Sequence, residues 1–88
     1  MVHLLPDAGG LVTLEFNTKR TALLITNLDM AIDVVITPHG GGGITLTLPP
    51  MTKFRLPDKI GFSIQGGTVG GTITRNFAVL VWVAGEAE

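Results

Sequence analysis

The chain has one serine, Ser63, no cysteine, and two histidines, His3 and His39, so few kinds of covalent chemistry are open to it. A serine nucleophile needs a base beside it, held to within about 0.5 Å of productive geometry. His3 lies among the first residues, and His39 runs into glycines 40–43, whose backbone freedom works against such placement. A metal centre of the cupin kind takes three histidines and a carboxylate, more histidine than the chain has. Asn27, Asp29 and Asp33 offer oxygen atoms to calcium, but their spacing departs from the EF-hand loop, and Asn and Asp are equally the residues of turns. Among the carboxylates away from the ends, Glu15, Asp29, Asp33 and Asp58, no pattern sets two across a cleft for glycoside hydrolysis. Glycines 40–43 lead into Ile44-Thr45 with no lysine, and the glycines of 66–71 open a strand instead of a helix, so neither stretch reads as a phosphate loop. These residues describe a protein that is not an enzyme, with no cofactor and no metal ligand set.

Six basic and seven acidic residues leave a net charge of −1 with no block of either sign, which argues against nucleic acid or an anionic membrane as a direct partner. Lys53 and Arg55 share an outward face, with Lys59 nearby, but a single-strand binder of the OB type also needs aromatic platforms. There is no tyrosine, and alternation places Phe16, Phe54 and Phe62 inward. The longest uninterrupted apolar run, 77–84, is far shorter than the ~18–20 residues of a membrane helix. The first residues, Met1-Val2-His3-Leu4-Leu5-Pro6, lack the charged and apolar regions of a secretory signal, so maturation in a cytoplasm is expected.

Whatever this chain does must be done by a surface, and its elements are strands. Twelve glycines and five prolines cut it into short segments rich in Val, Ile, Leu, Thr and Phe. Eight strands are predicted, at 11–17, 21–27, 32–37, 44–48, 51–56, 60–65, 68–75 and 76–84, with turn residues between them. Strands this short and closely spaced imply an all-β fold, antiparallel strands in a two-sheet sandwich of jelly-roll-like form. A single domain over 11–88 is expected, preceded by an arm over 1–10 that either lies across a neighbouring subunit or is disordered at its end.

Four segments alternate: Val12, Leu14, Phe16; Ile44, Leu46, Leu48; Phe54, Leu56; and Ile60, Phe62, Ile64 each face a polar or small set, as strands with one face in water do. Ala22-Leu23-Leu24-Ile25, Val34-Val35-Ile36 and the run 77–83 are apolar on both faces. Charged residues are only 15% of the chain, against roughly 25% in an ordinary soluble domain. A domain of 88 residues buries only about 60–65% of its unfolded surface and here has no disulfide to supplement its core. Both facts point to apolar surface kept for other protein chains. With Phe77, Val79, Val81 and Val83 inward, Ala78, Leu80 and Trp82 project outward as an interface, Trp82 as its exposed anchor. The alternative puts Trp82 in the core and the valines under a loop. Leu4 and Leu5 of the arm join the expected interface.

The stretch 21–83 resembles the small β-sandwich structural proteins of tailed-bacteriophage virions, especially head decoration (cement) proteins. Leu24-Ile25-Thr26-Asn27, Asp33-Val34-Val35-Ile36-Thr37, the glycine-opened Ile44-Thr45-Leu46-Thr47-Leu48-Pro49-Pro50 and the closing Ala78-Val79-Leu80-Val81-Trp82 carry the likeness. The resemblance implies a homo-oligomer, commonly a trimer, that binds major capsid protein on the outside of the shell and stabilises it, in a virion assembled in the host cytoplasm. A carbohydrate- or receptor-binding sandwich module, or a neck or tail component, is the alternative.

Overall fold

The computed structural model describes residues 1–40, 44–56 and 59–84, with Val69 described by its backbone alone. Alternation and β-branched content produce a strand within or overlapping each expected segment, with different bounds, and one further strand at the start: β1 (Val2–Leu4), β2 (Leu11–Leu14), β3 (Arg20–Asn27), β4 (Val34–Pro38), β5 (Leu46–Leu48), β6 (Lys53–Leu56), β7 (Phe62–Gly66), β8 (Thr68–Val69), β9 (Thr72–Ile73) and β10 (Phe77–Val83). One antiparallel sheet has the order β1-β10-β3-β6 and the other β2-β7-β4-β5, with β8-β9 as a separate two-stranded ribbon. Leaving the ribbon aside, the chain changes sheet at every connection except β4 to β5, which is the strand order of a jelly roll. No helix occurs among the described residues.

The core forms where the inner faces meet. Leu23 and Ile25 of β3 with Phe77, Val79 and Val81 of β10 pack on Val12, Leu14, Val34, Ile36, Leu48, Phe62 and Ile64 of the other sheet. The segments that are apolar on both faces, β3, β4 and β10, all take central positions, where a strand is flanked on both edges and its outer face is partly covered by neighbours.

Four expectations are corrected. Residues 1–10 do not extend away from the domain as an arm: Val2, His3 and Leu4 pair with Val81, Leu80 and Val79 of β10, and Leu4 packs on the core. Without β1 the apolar β10 would be an open edge, with a row of unpaired backbone groups. The predicted strand 68–75 is the β8-β9 hairpin, because Gly70 and Gly71, at φ 57° and 82°, supply the left-handed pair that a tight turn requires. The first predicted strand ends at Leu14, where the chain bends into a turn held by the Asn17 N–H to Lys59 carbonyl bond of 2.9 Å, and Phe16 is exposed instead of inward. Leu46, expected in the core, is exposed on the edge strand β5, and Ile44, expected there too, is exposed just before that strand begins.

A bulge shapes the far end. Trp82 pairs with Ala22 but Val83 pairs with Arg20, leaving Thr21 as the extra residue. Arg20 is thereby turned inward and buried, its guanidinium donating to the Glu15 carbonyl at 3.2 Å and to the Ile60 carbonyl.

Candidate functional site

Three surfaces carry the residues of interest. On the outer face of the first sheet, strand register sets His3, Leu80, Leu24 and Arg55 in one row and Ala78, Thr26 and Lys53 in the next. Ala78 and Leu80 are half-buried on this face, opposite to the inward Phe77, Val79 and Val81. Trp82 shares it, yet only 7% of its surface is exposed. The Arg55 guanidinium lies over its ring, 5.7 Å from the centroid. Trp82 is therefore neither an exposed anchor nor a member of the central core. Trp82→Ala is expected to lower unfolding stability by about 2 kcal/mol in urea titration, less than the ~3–5 of a central aromatic.

The outer face of the second sheet is uncharged and hydroxylic: Thr13, Ser63 and Thr37 stand side by side across β2, β7 and β4. Here the fold brings together the single serine and His39, whose Nε2 lies 2.8 Å from Ser63 Oγ. Nothing in the sequence separation of 24 residues signals this pairing. Among the described residues no carboxylate is hydrogen-bonded to the ring. Among the described residues no three metal-ligating side chains cluster.

The third surface is one end of the sandwich, where the connections 5–10, 28–33, 49–52 and 67–76 meet. A buried polar network builds it. Asn27, fully buried at the end of β3, donates through Nδ2 to the carbonyls of Ile32 at 2.9 Å, Leu48 at 3.0 Å and Pro49 at 3.2 Å. Its Oδ1 accepts the Asp29 N–H at 3.0 Å and its own N–H donates to the Thr52 carbonyl at 2.9 Å. Asp29 extends the network. Its Oδ1 accepts the N–H groups of Ala31 and Ile32, both at 2.9 Å, and its Oδ2 accepts the Thr74 hydroxyl at 2.7 Å and the Asn76 amide at 3.3 Å. The Asn27 and Asp29 oxygens that looked available to calcium are thus filled by donors from the chain itself.

These donors hold the Asp29 carboxyl down at about 2, from an ordinary 3.8, the Ala31 N–H contributing most, then the Thr74 hydroxyl, with burial opposing them. Because the folded form prefers the carboxylate, this stabilisation is complete above about pH 4 and is lost as pH falls towards about 2. Urea midpoints between about pH 5 and 2 are expected to fall more steeply for the native chain than for Asp29→Asn.

On this scaffold stand exposed apolar tips: Leu5, Leu28, Met30, Met51 and Ile73. Met30 is 86% exposed, at the apex of a turn whose flanking residues are both pinned through Asp29. Met51 follows Pro49-Pro50 at a left-handed φ of 58°. Beside them an open cleft of about 610 Å³ has Leu5, Pro6, Ile32 and Ile73 on its apolar side and Thr74, Arg75 and Asn76 on its polar side. Of the residues expected at an interface, Leu5 reaches this end, Leu4 is held at the edge of the core, and Ala78, Leu80 and Trp82 lie on the outer sheet face. Sequence reasoning singled out Asn27 and Asp29 as turn formers, but it did not find Met30, Met51 or Arg75 as surface features.

No protein-family model, curated protein or solved structure matches the chain.

Proposed function

We propose that this chain is a non-enzymatic virion structural protein, a decoration protein that binds the outside of a phage capsid as a homo-oligomer, a trimer, and stabilises the shell. The observation that carries the reading is the loop end of the sandwich, where five large apolar side chains are exposed together on a buried hydrogen-bond network. Exposing such a cluster costs solubility, and fixing its backbone in advance lowers the entropy lost on docking. The half-buried apolar row on the outer face of the first sheet offers a second, separate contact. A protein with two docking surfaces can bind its own copies through one and a shell through the other, and a trimer engaging several shell subunits gains avidity without stronger individual contacts. The virion assignment itself rests on the resemblance of 21–83 to phage head decoration proteins.

Native mass spectrometry at low micromolar concentration is expected to show about 28 kDa, three times the chain mass of 9.3 kDa. Co-sedimentation with phage shells is expected with mature, expanded particles. A species of 9.3 kDa alone, with no shell binding, overturns the proposal. The second reading, a glycan-recognition module, is favoured by the hydroxyl row Thr13–Ser63–Thr37 and the exposed Phe16 near one margin of that sheet. Glycan-array binding without shell binding would establish it.

A further inference from the structure

We infer that the loop end of the sandwich is the surface through which copies of this chain join, with Met30 of one copy seated in the cleft beside Ile32, Ile73 and Arg75 of the next. This rests on the oligomeric reading above and names its interface.

A knob and a hole occur on the same end. Met30 is the most exposed large apolar residue, and its backbone is fixed from both sides: the Asp29 N–H is held by Asn27 and the Ala31 N–H by Asp29. An unbranched thioether fills irregular apolar clefts well. The cleft is walled by Leu5, Pro6, Ile32 and Ile73, and its floor is set by the bond from Thr74 to Asp29. The loop that carries the knob also supplies Ile32 to the cleft, so knob and cleft are adjacent on one end of each copy.

The exposed apolar area at this end is large for a monomer. Leu5, Leu28, Met30, Met51 and Ile73 are between 39% and 86% exposed. Together they offer on the order of 500 Å² of apolar surface, at the upper end for the largest patch on a monomer, which a ring divides between the contact made by the knob and the contact made by the cleft.

The charges are self-complementary. Arg75 in the cleft and Asp33 at the end of the Met30 loop have no side-chain hydrogen-bond or ion-pair partner among the described residues. Seating the Met30 loop of one copy in the cleft of the next brings Asp33 of the first towards Arg75 of the second. The remaining carboxylates of this end are already engaged, Asp29 by four donors and Asp7 by the N–H groups of Gly9 and Leu11. A contact of this knob-to-cleft kind is heterologous and closes into a ring when its rotation permits, as a trimer requires.

Sedimentation equilibrium of the full chain and of Met30→Glu tests the inference, with thermal unfolding of both to show that the exposed substitution leaves the fold intact. Association is expected to weaken by roughly 30-fold or more, the effect of losing one anchor residue. Arg75→Asp is expected to weaken it as well, and Arg75→Asp combined with Asp33→Arg to restore it. An oligomer that persists unchanged in Met30→Glu and Arg75→Asp overturns this interface while leaving the oligomeric reading standing. A native chain that stays monomeric to high micromolar concentration overturns both.

Discussion

Asn27→Ala is expected to lower the unfolding free energy by about 3 kcal/mol, because it strips the donor from the buried Leu48 carbonyl and from the part-buried carbonyls of Ile32 and Pro49; a buried group left unpaired costs about 1–3 kcal/mol, a part-buried one less, and the costs are not fully additive. The carbonyls of Leu48 and Pro49 belong to the segment that carries Met51, and that of Ile32 to the segment that carries Met30. One side chain thus fastens two connections from different sheets to the end of β3. With a typical domain stability of about 5–15 kcal/mol, a loss of this size leaves a small domain marginal at physiological temperature. Urea unfolding followed by the single tryptophan measures it. Asn27→Asp separates donor from acceptor: it keeps the bond from the Asp29 N–H, loses the donors, and places a charge in a site with no described cation beside it. It is expected to be at least as destabilised as the alanine variant. A loss below about 1 kcal/mol in Asn27→Ala would mean that the surrounding backbone relaxes to bond itself and that the network does not organise this end.

Gly66→Ala is the second large effect. Gly66 ends the central strand β7, pairs with Val34, and donates its N–H to the Gly10 carbonyl at 2.9 Å. A Cβ at this position would fall inside the van der Waals sphere of the Thr74 carbonyl oxygen and lie 3.1 Å from Thr74 Cγ2. Backbone cannot yield there cheaply. Thr74 is tied by its N–H to the Gly67 carbonyl at 2.8 Å and by its hydroxyl to Asp29, so relieving the clash pulls the floor of the cleft off the network. A loss of about 3 kcal/mol or more is expected, at the upper end of overpacking effects. Gly70→Ala supplies the contrast: nothing lies within 4 Å of its added Cβ, and only its φ of 57° opposes the change, so about 1 kcal/mol is expected. Equal losses in the two variants would show that close approach at Gly66 is not what excludes a side chain there. Both variants are measured by the same urea titration, with oligomeric state followed in parallel, because displacement of Thr74 is expected to weaken association as well.

Much of the fold was legible because strand formation and facing depend on residue type at period two, a local property. Val12 and Leu14, Phe62 and Ile64, and Phe77, Val79 and Val81 all point inward as their alternation requires. The segments apolar on both faces became the central strands β3, β4 and β10, since a strand with neighbours on both edges has its outer face partly covered by their side chains. Alternation failed where strands stop. Phe16 and Ile44 continue the apolar pattern past the last paired residue and end in solvent, because a pattern has no information about where the opposite sheet ends.

By itself the sequence determined an all-β sandwich, poor in charge and rich in apolar surface. Only the tertiary structure decided where that surface lies. Trp82 projects outward, as its parity demands, but Arg55 comes to it from β6, 27 positions away in the chain, and covers it. Asn27 and Asp29 look like ordinary turn formers until their partners at Leu48, Pro49, Thr74 and Asn76 arrive from other connections. The physical reason is the same in each case. Side-chain direction is set within a few residues, whereas covering a ring, filling the lone pairs of a carboxylate and gathering Leu5, Met30, Met51 and Ile73 at one end all depend on segments far apart in sequence, which the crossing connections of the jelly roll bring together.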